Sequence, residues 1–151
     1  MENFVKFTPE DILEEWKKDS PIDDTALGKE LVKTSHLHSK YLELLMKAKS
    51  KLSQTEAKYN KMKNLRKSYY RGEMTLSQLQ EYGWDQYQGL KQSHSEFMNT
   101  TEIDPILCDE KIKVDFYKSL VIGLEYIMKQ IHQRDYSIKS LIEYNKLIMG
   151  G

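Results

Sequence analysis

Thirteen positions between Leu27 and Tyr69 recur at alternating steps of four and three residues: Leu27, Leu31, Thr34, His38, Tyr41, Leu45, Ala48, Leu52, Thr55, Tyr59, Met62, Arg66 and Tyr69. Six turns of that cycle make a heptad seam, which sustained over this length specifies one long α-helix. A helix over residues 24–71 would run on the order of 70 Å at 1.5 Å per residue. A compact monomer of 151 residues cannot bury that length within itself. Thr34, His38, Ala48, Thr55 and Arg66 make the seam polar or small in places. The pattern therefore predicts one face of a helical hairpin or bundle rather than a stiff two-stranded zipper.

The flanking segments are also helical. Thr8-Pro9-Glu10-Asp11 is a helix start, with Thr8 as cap, Pro9 at the first position and two acids facing the positive end of the dipole. A short helix over 8–19 buries Ile12, Leu13 and Trp16 and stops before Pro21, which disfavours helix in its predecessor. Asp23 and Asp24 are the predicted caps of the long helix, and Gly72 its end. Residues 73–108 are an acidic connector with one short helix starting at Thr75, and residues 89–101 carry little pattern. Asp104-Pro105-Ile106 reads as an interruption before a C-terminal helical segment over 109–149. Tyr117, Leu120, Val121, Leu124, Ile127, Met128, Ile131, Ile138, Leu141, Ile142 and Ile148 form its apolar stripe. Period-two alternation is missing throughout. The expected fold is all-α, an elongated helical bundle in a single domain of 151 residues, with part of the thin apolar surface covered by sister subunits.

Charge is distributed in blocks. Acids outnumber bases 10 to 6 over residues 1–46 (−4) and 8 to 1 over 73–110 (−7), whereas bases outnumber acids 9 to 1 over 47–72 (+8) and 7 to 4 over 111–151 (+3). A local surplus this large in a neutral chain points to a polyanionic partner. Tyr69-Tyr70 at the end of the run adds rings on which unpaired bases could stack, favouring single-stranded nucleic acid. The candidate DNA contacts are Lys58, Lys61, Lys63, Arg66, Lys67, Tyr70 and Arg71. Tyr69 falls on the seam and is a core residue first; Tyr70 lies off it and is the better stacking candidate. Arg66 is on the seam, so either it has a carboxylate partner or the seam opens there to solvent and ligand. The competing account is internal: the acidic block 73–110, or an acidic protein partner, could neutralise the basic helix of a non-enzymatic scaffold or adaptor.

Catalytic and metal chemistry find no constellation. His36 and His38 point to different faces of one helix, His94 and His132 are isolated, and Cys108 has no neighbouring base. There is no phosphate-binding G-x-x-x-x-G-K-[ST] loop or G-x-G-x-x-G turn. No cofactor is implied. A single cysteine suits a reducing compartment. The N-terminus lacks the plan of a signal peptide, and no apolar run approaches the roughly 20 residues that span a bilayer.

The chain resembles the UvsY family of bacteriophage recombination mediators. The similarity rests on Leu13-Glu14-Glu15-Trp16-Lys17-Lys18-Asp19 with Ile22-Asp23 and Thr25-x-Leu27, on Lys63-Asn64-Leu65-Arg66-Lys67-Ser68-Tyr69-Tyr70, and on Arg134-Asp135-Tyr136-Ser137-Ile138-Lys139. The second stretch is similar to the family's basic DNA-binding motif, a Lys-x-Arg followed by a tyrosine pair. Arg66 matches it directly, while the motif lysine falls on Asn64 with Lys63 one residue earlier. The resemblance implies a ring-like homo-oligomer assembled through the C-terminal helix and binding single-stranded DNA. It further implies displacement of the phage single-strand-binding protein and loading of a RecA-like phage recombinase, without hydrolysis of its own. It also implies a phage-encoded, non-virion protein acting in the host bacterial cytoplasm during recombination, repair and replication.

Overall fold

The computed structural model describes residues 7–150; the N-terminal stretch inspected for a signal peptide lies mostly outside them. Among the described residues there are five α-helices and no strand: α1 (Pro9–Asp19), α2 (Leu27–Tyr70), α3 (Leu76–Tyr82), α4 (His94–Thr100) and α5 (Pro105–Met149). The chain divides into two compact units, one built from residues up to Lys51 and from Phe116 onward, the other from Leu52–Asp115. The long helices α2 and α5 each contribute to both. No helix among the described residues is long and apolar enough to cross a membrane.

The first unit packs α1 and the first half of α2 on the second half of α5. Its core is Ile12, Leu37, Tyr41, Leu45, Ala48, Leu120, Val121, Leu124, Ile127, Ile131 and Ile138, all buried. Full burial of each large aliphatic side chain stabilises by about 1.5–3 kcal/mol. Leu37 fills the seam position predicted for His38, which is exposed. One residue is about 100° around the helix, so the imidazole turns outward and the leucine inward. Thr8 caps α1 as predicted, and its side chain and that of Asp11 exchange hydrogen bonds with each other's backbone N–H. Asp23 and Asp24 do not cap α2. The Asp23 carboxylate accepts from the Thr25 N–H at 2.9 Å, closing a turn ahead of a helix that begins at Leu27.

Two polar nodes tie this unit together. Trp16 meets Tyr41 edge-on at 5.4 Å, and the Tyr41 hydroxyl donates to Asp19 at 2.8 Å. Burial, then the bond to Asp19, pushes the Tyr41 hydroxyl far above its ordinary range. Arg134 is buried on α5, where it pairs with Glu30, donates to Thr34 at 3.2 Å and reaches the carbonyls of Ser20 and Pro21. This one guanidinium fixes the α1–α2 turn against α5. Beyond Ile138 the predicted apolar stripe turns to solvent at Leu141 and Ile148, with Ile142 half-buried, and Tyr144, Leu147 and Met149 beside it are exposed as well.

The second unit packs the second half of α2 against α3, α4 and the start of α5. Gly72 terminates α2 in the left-handed region at φ +66°, with Gly72 N–H donating to Tyr69 O and Glu73 N–H to Ser68 O. That double closure is the Schellman arrangement, which favours glycine. Two sequence expectations change here. The unpatterned stretch before Thr101 contains α4, capped by a reciprocal pair in which Ser93 accepts from the Glu96 N–H and Glu96 from the Ser93 N–H. And Asp104-Pro105 starts α5 instead of interrupting it: Asp104 Oδ1 accepts from the Leu107 N–H at 3.0 Å, with proline at the first helical position. The C-terminal helix thus begins at Pro105 rather than 109.

Candidate nucleic-acid interface

The centre of the second unit is the carboxylate of Asp104. Its Oδ1 caps α5, while its Oδ2 accepts from Arg66 Nε at 3.0 Å, Arg66 Nη2 at 2.7 Å and the Tyr70 hydroxyl at 2.6 Å. Arg66 and Asp104 are both buried, at 7% and 1% exposure. The guanidinium carbon lies 4.3 Å from the Tyr69 ring centre and 4.6 Å from that of Trp84. Planar cation against aromatic faces, with its donors on a carboxylate, is the geometry that suits arginine and not lysine. Burial by itself would raise the Asp104 carboxyl; the hydrogen bonds from Arg66, Tyr70 and Leu107 outweigh it and hold the group below the ordinary carboxylate range. Burial and the bond to Asp104 push the Tyr70 hydroxyl up.

Of the two options open for Arg66, the structure therefore holds the first, a carboxylate partner. Its Nε and Nη2 are held on Asp104 and the side chain is buried, so it lies beneath the surface a polyanion would meet. Tyr70 is placed similarly. Its hydroxyl is on Asp104, and its ring packs at 5.3 Å from Tyr69, 5.0 Å from Tyr87 and 6.2 Å from Phe97. Tyr69 also touches Trp84 and Tyr87, and Trp84 stacks on Tyr82 with ring centres 4.9 Å apart.

The remaining candidates divide between two flanks of α2. At about 100° per residue, Lys63, Lys67 and Arg71 share one flank with Asn60 and Asn64, and Lys58 and Lys61 take the other. Lys58 Nζ stands 3.7 Å from Glu110 Oε1 yet remains largely exposed, and Arg71 Nε stands 3.7 Å from Glu73. The Arg71 pair, long and exposed on both sides, contributes little and yields readily to a better anion; Glu110 is nearly buried and also meets Lys113 at 3.5 Å, so it keeps a cation when Lys58 turns away. Earlier in the run, Lys47 pairs with Glu43 and Lys49 with Glu125. Among the described residues Lys61, Lys63 and Lys67 have no carboxylate within salt-bridge distance, in contrast to Lys58 and Arg71. The acidic block thus neutralises Arg66 fully and Lys58 and Arg71 loosely.

A groove between α2 and α4 collects one of these flanks. Asn60, Lys63, Asn64 and Lys67 line it from α2, and His94, Phe97 and Met98 from α4. Sequence reasoning missed His94, whose place depends on a helix that showed no periodicity; the Ser93-x-x-Glu96 capping pattern was the signal that could have found it. It missed Lys91 as well. Gln92 N–H donates to Tyr70 O at 3.2 Å, and a side chain placed at Gly72 would meet Lys91 Cε at 3.6 Å, so this cation lies against the end of α2. Among the described residues no group of three or more His, Cys, Asp or Glu could hold a metal ion.

Two crystal structures of the bacteriophage T4 recombination mediator protein UvsY share the fold. In one, lattice type IV, the TM-score is 0.83 at 22% identity, over 93% of this chain and 99% of that one. In the other, lattice type II, it is 0.81 at 24% identity, over 94% and 97%. No curated protein sequence matches the chain. Residues 15–151 match the family described as "Recombination, repair and ssDNA binding protein UvsY", and the chain belongs to that family.

Proposed function

We propose that this protein is a non-enzymatic recombination mediator that binds single-stranded DNA and helps load a RecA-like recombinase onto strands covered by single-strand-binding protein. The observation that carries the proposal is the pair Lys63 and Lys67, two cations without acidic partners among the described residues, lining one groove of the second unit. Lysine acts as a point charge toward phosphate, and its stem can lie along apolar surface while the ammonium stays in water. Arg71 continues the groove's flank toward Lys91 at the end of α2, and these two act as secondary phosphate contacts, while Lys58 and Lys61 add positive charge on the opposite flank of the helix. Arg66 and Tyr70 act from beneath, by fixing the helix that carries them.

A homo-oligomer suits this role, because weak phosphate contacts on linked copies add through effective concentration. A phage-encoded protein acting in the host bacterial cytoplasm is the setting this role implies. The scaffold alternative draws on a specific observation too: Arg66, Lys58 and Arg71 each meet a carboxylate of the acidic block. Against it, the block leaves Lys61, Lys63 and Lys67 without partners.

The test is reconstitution. Single-stranded DNA coated with the phage single-strand-binding protein is offered to the phage recombinase with ATP, and hydrolysis is followed with and without this protein. The expected result is that hydrolysis starts sooner when it is present, and that the protein alone turns over no ATP and cuts no DNA. Hydrolysis with an unchanged lag, on DNA the protein demonstrably binds, would contradict mediation.

A further inference from the structure

We infer that the groove between α2 and α4 is a nucleotide subsite that contacts the base as well as the backbone. His94 is its contact from α4, and Asn60 and Asn64 are its contacts from α2. The inference rests on the single-stranded-DNA proposal above and assigns chemistry within it.

Five polar side chains converge on the groove: Asn60, Lys63, Asn64, Lys67 and His94. Among the described residues none of the five makes a side-chain hydrogen bond or ion pair within the chain, whereas the neighbouring Arg66 and Tyr70 donate to Asp104. The five are of two kinds. Lys63 and Lys67, one helical turn apart, bring two positive charges and donors only. Asn60 and Asn64, also one turn apart on the same flank, bring amides that donate and accept, and His94 brings an imidazole that can do both.

Met98, which is exposed, adds apolar surface to the same concavity over the buried Phe97. An inorganic anion or an acidic peptide would use the lysines and leave the amides, the imidazole and the apolar wall idle. A nucleotide uses all of them: phosphate on the ammonium groups, the mixed donor and acceptor edge of the base on the amides and imidazole, its flat face toward the apolar wall. Single-stranded nucleic acid is the polymer whose base edges are free to be met in this way.

The experiment compares two fluorescent strands of equal length and charge, one of thymidines and one carrying abasic sugars throughout, titrated with the full-length protein. The thymidine strand should bind tighter. His94→Ala and Asn64→Ala should each weaken binding of the thymidine strand about three- to tenfold, the effect of one lost hydrogen bond, and leave the abasic strand and the salt slope as they were. His94 and Asn64 are exposed, so neither change disturbs the core. Lys63→Ala and Lys67→Ala should instead weaken both strands alike.

If His94→Ala, Asn60→Ala and Asn64→Ala all keep the wild-type ratio between the strands, the base contact is overturned while DNA binding stands. If the wild-type protein binds neither strand, the DNA proposal fails and this inference with it.

Discussion

Replacing Arg66 separates a residue that touches DNA from one that supports the surface that does. In Arg66→Ala the Asp104 carboxylate, whose side chain is 0% exposed, loses both guanidinium bonds and keeps the Tyr70 hydroxyl and the Leu107 N–H. Breaking a buried pair by removing one partner costs about 3–5 kcal/mol, because the other charge is left without compensation. At roughly 2–4 °C per kcal/mol for a chain of this size, the midpoint of thermal unfolding should fall by roughly 6–20 °C.

Arg66→Lys keeps the charge and loses the planar fork between Tyr69 and Trp84, so it should fall in between. Arg66→Met combined with Asp104→Asn removes both charges and leaves an amide oxygen for the α5 cap, and it should recover about half or more of the loss. Unfolding is followed by circular dichroism, and DNA affinity is measured well below each variant's midpoint. There the salt dependence of Arg66→Ala should match wild type, since the guanidinium faces Asp104 and not phosphate. An Arg66→Ala protein of unchanged stability, with a salt slope shallower by about 0.7, would refute this and make Arg66 a direct phosphate contact.

Asp104 also governs acid behaviour. Its folded carboxyl lies below the ordinary value, so its stabilisation is complete above about pH 4 and is lost as pH falls through the lowered value; urea midpoints should drop in that window, and less steeply in Asp104→Asn. Ser93→Ala removes the side-chain acceptor for the Glu96 N–H at the start of α4 and should cost about 1 kcal/mol, seen as a thermal midpoint lower by about 2–4 °C. Deleting residues from 141 onward removes the exposed Leu141, Tyr144, Leu147, Ile148 and Met149 while sparing buried Ile131, Arg134 and Ile138. The deleted protein should stay folded and give a smaller assembly by light scattering; an unchanged mass would move assembly to another surface.

The heptad seam was legible because it is a local, repeated signal, and a single position, His38, turned out to face the wrong way. Asp104-Pro105 was misread because proline both ends helices and begins them, and the choice depends on whether the preceding acid caps. Helix α4 was invisible to periodicity: of its seven residues only Phe97 is buried, and one position sets no period.

The site was legible as a charge surplus but not as a surface. Arg66 finds its partner 38 residues away, and nothing near it in the chain marks Asp104 as that partner. Lys91 and His94 reach the end of α2 and the groove through a connector whose own composition is acidic. Such contacts arise from tertiary packing, which one sequence does not display.

The most direct test of the account is the salt dependence of single-stranded-DNA affinity for the wild type and for Lys63→Ala combined with Lys67→Ala. Each phosphate contact on a single strand contributes about −0.7 to the slope of log K against log salt, so four to six contacts give roughly −3 to −4 for the wild type. Losing two should make the slope shallower by about 1.4, with the thermal midpoint unchanged. A double variant that binds with the wild-type slope would contradict the claim that these two lysines hold the DNA backbone.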